Sequence, residues 1–275
     1  VSDRTTLDRL TIAYALFVAG ALPWKGVAGA AALEHLLALG ALGGLALIAP
    51  RLRASGGAPA VFAEFYPMLA LFALYQQVGL LNRAHGVSFD LEAQAWEAAL
   101  FGGQPSRSWM NGAPWPWLSA LLHGGYLSYY LILAAAPLGP WLLGNRAGAR
   151  RVVTAVMAAF YLCYVVFLLL PVAGPRYVLP PVAGPAAEVA LARLTHRLLE
   201  GGSAWGTAFP SSHVAASLVA SAAAWRESRP LGLALGVLTA LLTLGTVYGG
   251  FHYLVDALAG IAAAALVLFA LRRLA

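Results

Sequence analysis

The sequence predicts an all-α integral membrane protein, and three observations support that fold class. Of the 275 residues, 61% are hydrophobic and 10% are charged, whereas a soluble domain carries about 25% charged residues. Mean hydropathy is +0.76. The apolar residues fall in runs that approach the roughly 20 residues a helix needs to cross a bilayer. No alternating pattern of a barrel strand is present, so helices are the spanning elements.

About eight transmembrane helices are expected, at roughly 9–24, 29–49, 58–80, 117–139, 152–173, 211–225, 230–248 and 251–271. The first carries Ala19-Gly20-Ala21, which resembles a signal-peptide cleavage site. Asp3 and Asp8 fit poorly with the basic start of a signal peptide, so the segment reads as a retained span. Between the third and fourth spans, Trp96, Leu100 and Phe101 oppose Glu92, Gln94 and Glu97. This pattern predicts an amphipathic helix over 90–101 lying in the membrane interface. Gly102-Gly103-Gln104-Pro105 makes a turn, and Trp109, Trp115 and Trp117 form an aromatic belt. After the fifth span, Pro-Val-Ala-Gly-Pro occurs at 171–175 and again at 181–185 and keeps the chain non-helical. A helical piece over 186–199 follows, bearing Glu188, Arg193 and Arg197. The lone cysteine, Cys163, sits within an apolar run and reads as a small core residue. Nothing separates a second domain, so residues 1–275 form a single membrane domain.

The net charge of +6 reads as orientation. No basic cluster with interleaved aromatics points to nucleic acid. Arg4, Arg9, Arg51, Arg53, Arg146, Arg150, Arg151, Arg226, Arg229, Arg272 and Arg273 fall on one side of an eight-span topology. The other side holds Lys25, Arg83, Arg107, Arg176, Arg193 and Arg197. The positive-inside bias then puts both termini in the cytoplasm. It places Arg176, His213 and His252 together on the external face. Abundant Ala, Gly and Arg with one Lys suggests a bacterial source, and hence the inner membrane.

Polar and ionisable groups at the mouths of apolar segments point to function by default. Phe209-Pro210-Ser211-Ser212-His213 opens one such segment, and His252 with Asp256 opens the last. Residues four apart share a helix face, so Asp256 is placed to hold a ring nitrogen of His252. Phosphoryl transfer needs donors around the equatorial oxygens, an in-line nucleophile and an acid for the leaving oxygen. Imidazole suits the last two roles near neutral pH. Ser211 and Ser212 stand where a helix N-terminus cradles anions, although Ser211 also reads as a simple cap. Arg176 supplies a permanently charged clamp; the blander reading is an interfacial anchor. His123, beside Tyr126, Tyr129 and Tyr130, reads as a helix-contact residue.

This arrangement resembles the type 2 phosphatidic acid phosphatase superfamily of membrane lipid phosphatases and phosphotransferases. Gly174-Pro175-Arg176-Tyr177 looks like its first motif, Pro210-Ser211-Ser212-His213 its second, and Gly245 to Asp256 its third. The resemblance implies a six-helix phosphatase-type core over 116–275, with 1–115 as accessory spans and the interfacial helix. It implies that His252 is the nucleophile, Asp256 its orienting partner and His213 the acid, with Arg176, Ser211 and Ser212 binding phosphate. No cofactor is implied. The partners are a lipid phosphate or phospholipid and, for a transferase, an alcohol acceptor. The motif's lysine falls on Leu169, its proline after the arginine on Tyr177, and its Ser-Arg on Gly245-Thr246. Replacement donors on the correct side are Arg83, Arg107, Lys25 and Tyr248. Tyr248-Gly249-Gly250-Phe251-His252-Tyr253 with Pro175-Arg176-Tyr177 looks closest to the inositol phosphorylceramide synthase branch, whose enzymes pass a phosphoryl-linked headgroup between lipids. Two other classes use the same residues. A proton-coupled transporter relays protons through them, and a zinc site takes two His and an Asp as ligands.

Overall fold

A computed structural model describes residues 4–181 and 183–272. Asp3, Arg273 and Val182 of the second Pro-Val-Ala-Gly-Pro copy lie outside the described residues. Among the described residues the regular elements are all helices. In chain order the elements are α1 (Thr6–Ala21), α2 (Gly29–Ser55), α3 (Gly57–Leu69), α4 (Leu71–His85), α5 (Asp90–Phe101), α6 (Pro105–Gly112) and α7 (Pro116–Leu127). They continue as α8 (Tyr129–Leu142), α9 (Arg146–Leu169), α10 (Pro175–Val178), α11 (Ala190–Gly202), α12 (Ser212–Glu227), α13 (Arg229–Tyr248) and α14 (Leu254–Arg272).

Among the described residues, five helical stretches are long and apolar enough to cross a membrane: α2, α3 with α4, α9, α13 and α14. A sixth is the pair α7–α8, bent by 43°. The bend sits at Ser128, whose hydroxyl bonds the Gly125 carbonyl at 2.6 Å while its amide is shared between Gly124 and Gly125. Eight spans were expected. The two that length does not support are α1 and α12, each 16 residues, about 24 Å at 1.5 Å per residue. A short α12 is tolerated because it does not meet lipid on its own. It is packed among α8, α9, α13 and α14, and its Ala215, Ala216, Ser217, Ala220 and Ala224 are buried. Small residues let neighbouring backbones approach closely.

Two ends of the bundle are built differently. At one, Arg53 makes a bidentate bond to buried Asp8 (2.7 and 2.9 Å), and Arg150 reaches Glu64 at 2.6 Å. These pairs tie α1, α2, α3 and α9 together. Arg151 does the same for α9 and α12 through Glu227 at 2.9 Å. The other end gathers the close of α9, the starts of α12 and α14, and the short helices α5, α6, α10 and α11. The expected helical piece over 186–199 starts four residues later, at Ala190, because Gly184 to Ala187 form a turn first. Cys163 is free and buried in the core.

Candidate active site

Three loops meet at this second end and are tied by backbone hydrogen bonds. Ala208 N–H donates to Val172 (2.8 Å), joining the loop before α12 to the loop after α9. Ser211 N–H donates to the Asp256 carbonyl (2.9 Å), joining the start of α12 to α14. Gly174 adopts φ +96, and a Cβ there would lie 3.0 Å from Ala208 Cβ, so glycine permits both the turn and the close approach.

The third loop delivers His252. α13 ends at Tyr248, and Gly250 (φ +67) reverses the chain. The amides of Phe251 and His252 both return to the Thr246 carbonyl, at 3.0 and 3.1 Å. His252 therefore precedes the helix and does not lie on its face as the four-residue spacing suggested. Asp256 approaches it by a different route, with no hydrogen bond to Nδ1 among the described residues. Its Oδ2 accepts the Tyr253 N–H at 2.8 Å, half of a capping box, and lies 3.4 Å from His252 Nδ1. Asp256 Oδ1 is buried without a partner among the described residues.

His213 stands in the first turn of α12. Its ring centroid is 5.6 Å from that of His252, at an interplanar angle of 63°. The two rings line a cavity of about 40 Å³ together with Arg176, Tyr126, Thr207 and Ala208. A water needs roughly 10–15 Å³ on this measure, so the space matches a few oxygens. Arg176 Nη1 donates to the Leu199 carbonyl at 2.8 Å and to Ser203 Oγ. No described residue accepts from its Nε or Nη2, which leaves one edge of the guanidinium for an anion. Tyr126 Oη lies 3.3 Å from His213 Nε2, and the Tyr129 ring centroid is 4.4 Å from that of His213.

Two larger spaces flank this cavity. A groove of about 280 Å³ shares Tyr75, Leu199, Ser203 and His213 with it, and runs out past Leu69, Phe72 and Leu133. On the other side, a cavity of about 210 Å³ shares Arg176 and is lined by Arg107, His196 and Glu200. Burial and the Arg176 charge hold His196 below the usual histidine range.

The remaining sequence candidates sit elsewhere. Ser211 caps α12 through Val214 N–H (3.4 Å), and Ser212 lines the groove; neither lines the small cavity. Tyr248 donates its hydroxyl to the Ala113 carbonyl at 2.9 Å. Arg83 is exposed at the end of α4 and lines none of the three spaces. Lys25 is buried 4.4 Å from the Trp24 ring centroid, where burial pulls its ammonium down to about 8. His123 bonds back to Ser119 at 2.8 Å and packs against Phe251, next to the cavity. No three His, Cys, Asp or Glu side chains among the described residues gather as a metal centre would require.

Sequence reasoning missed Tyr126 as a partner of His213. It also missed two carboxylates on α5, the helix read as interfacial. The apolar face of α5 is outward as expected, with Leu91 79% and Leu100 66% exposed. Glu97, however, does not face water. It is fully buried and accepts from Leu254 N–H at 2.6 Å, and burial raises its carboxyl above the usual glutamate value. The signal available in the sequence, polar residues on one face, does not distinguish a solvated face from one turned inward.

No curated protein and no solved structure matches the chain. A family model described as the PAP2 superfamily matches residues 94–270, beginning within α5 and covering well over half of the chain. With its two imidazoles, a guanidinium and a carboxylate assembled from three separated segments, the chain belongs to the PAP2 superfamily.

Proposed function

We infer that this protein is a membrane-embedded lipid phosphatase or phosphotransferase that works through a phosphohistidine on His252. The observation that carries the reading is the pairing of His213 and His252 across a cavity that Arg176 also lines. A phosphorus atom between the rings meets a nucleophile on one side and an acid on the other. His252 attacks through the ring nitrogen away from Asp256, and Asp256 stabilises the positive charge that develops on the imidazole. The bond from phosphorus to the leaving oxygen breaks, and His213 protonates that oxygen. His213 then takes a proton from water or an alcohol, which attacks the phosphohistidine and releases His252. Arg176 holds the equatorial oxygens.

The flanking spaces bear on the substrate. The groove is lined by Leu69, Leu71, Phe72 and Tyr130, side chains that fit an acyl or prenyl chain. His213 lines that groove, so the oxygen it protonates belongs to the lipid alcohol. The cavity beyond Arg176 has Arg107 and Glu200 in its wall. It suits a polar substituent retained on phosphorus, which favours a headgroup transferase of the phosphodiester type over a simple monoesterase. The charge distribution supports an external active site, and the Ala-, Gly- and Arg-rich composition supports a bacterial inner membrane.

The test is purified protein incubated with labelled lipid phosphates and phosphodiesters, with and without alcohol acceptors, reading free phosphate, released headgroup and new lipid. His252→Ala is expected to abolish both release and transfer while the protein still elutes as a folded species. Normal turnover in that variant rules out the mechanism.

A further inference from the structure

We propose that α5 is a clamp for the catalytic loops, with Asp90 and Glu97 as positioning residues that set Arg176 and His252 in register. The proposal rests on the roles given above to those two residues. Asp90 opens α5 and is buried. Its Oδ2 accepts from Ala173 N–H at 2.8 Å and from Ser88 Oγ. Its Oδ1 accepts from Gly174 N–H at 2.8 Å and from the Tyr253 hydroxyl at 3.2 Å. Ala173 and Gly174 lead directly into Pro175-Arg176, and Tyr253 follows His252.

Glu97 lies seven residues further along the same helix, about 10 Å up the axis and nearly in line with Asp90. Its Oε1 accepts from Leu254 N–H at 2.6 Å, and its Oε2 from Ser106 Oγ at 3.1 Å. Leu254 begins α14, two residues after His252 and two before Asp256. One face of α5 thus holds the loop that delivers the guanidinium and the turn that delivers the nucleophile. Gln94, between them, adds a bond to the Tyr253 hydroxyl at 3.2 Å. The two loops leave different helices, α9 and α13, and both are fastened to this short helix by carboxylate acceptors.

A carboxylate offers a separate oxygen to each of two neighbouring amides, whereas a side-chain amide turns an NH2 donor toward one of them. That difference separates positioning from general packing. Steady-state kinetics on the wild type, Asp90→Ala, Asp90→Asn, Glu97→Ala and Glu97→Gln would be combined with amide hydrogen exchange. Asp90→Ala is expected to raise KM about tenfold or more with kcat little changed, because the Arg176 loop is the part released. Asp90→Asn, keeping one of two acceptors, falls between it and the wild type. Glu97→Ala is expected to lower kcat about tenfold with KM little changed. Glu97→Gln is expected to recover most of that loss, since its amide oxygen still accepts from Leu254.

Exchange at Ala173 and Gly174 should accelerate in Asp90→Ala alone, and exchange at Leu254 in Glu97→Ala alone. A fall in melting temperature with kcat, KM and local exchange unmoved overturns the clamp. So does an equal loss in both parameters for both alanine variants. A wild-type protein inactive on every lipid offered sinks the proposed function instead, and the exchange pattern then decides the clamp by itself.

Discussion

At the scale of single residues, the assignment most open to test is that of His213. Its Nε2 faces the Tyr126 hydroxyl at 3.3 Å, and its Nδ1 is buried without a partner among the described residues. As an imidazolium, His213 carries a proton on each ring nitrogen and can deliver one of them to the departing oxygen. An acid matters only when the departing oxygen needs a proton. His213→Ala should therefore slow release of a lipid alcohol by about a hundredfold or more and leave a nitrophenyl ester, whose anion departs unaided, nearly untouched. Equal losses on both substrates would remove His213 from the acid's role. This histidine was legible in the sequence because a Pro-Ser-Ser-His run at the mouth of an apolar segment has no packing purpose. Arg176, His252 and Asp256 were legible for the same reason, through polar groups at span ends. Asp90 and Glu97 were not. Their partners on the catalytic loops lie 83 to 163 residues away, and carboxylates on an amphipathic helix look alike whether they meet water or backbone amides.

At the scale of elements, the catalytic helices are held by close approach. α13 crosses α7 where Gly245 faces Leu122 and Gly125 faces Leu241. A Cβ on Gly125 would sit 2.6 Å from Leu241 Cβ, and one on Gly245 would overlap the Leu122 carbonyl oxygen. Backbone atoms cannot step aside as a flexible side chain does. Gly245→Ala should therefore cost about 1–3 kcal/mol by overpacking, read as a lower unfolding temperature in detergent. Gly20→Ala, where nothing lies within 4 Å of the added atom, serves as the control and should be neutral or slightly stabilising. An unchanged transition for Gly245→Ala would mean that the two helices do not cross at these glycines. Helix existence was readable from apolar runs, and most span positions agree within a few residues. The bend at Ser128 and the break between α3 and α4 were not readable. Both fall inside apolar sequence whose hydropathy is the same in a straight helix and a bent one. The sequence reading also took Gly245-Thr246 only as a departure from a motif, whereas the packing gives Gly245 a reason of its own.

At the scale of the whole molecule, the two ends place charge in different ways. Away from the catalytic loops, Arg53, Arg150 and Arg151 are neutralised by Asp8, Glu64 and Glu227. The net charge there is lower than a count of arginines suggests. Orientation follows the number of Lys and Arg near span ends rather than net charge, since acidic residues contribute little to it. In the eight-span topology read from the sequence, eleven of the 17 Lys and Arg residues are assigned to the side opposite the catalytic loops, so the proposed external site survives the pairing. Sidedness can be measured without assuming the natural lipid. A short-chain, membrane-impermeant substrate added to sealed right-side-out vesicles should be turned over at once, with no gain on permeabilisation. In inverted vesicles the same activity should stay latent until detergent is added. His252→Ala vesicles provide the blank for both orientations. Latency in the right-side-out preparation would reverse the topology, and with it the positive-inside argument. The catalytic geometry would be untouched, because the pairing of His213, His252 and Arg176 does not depend on which leaflet they face.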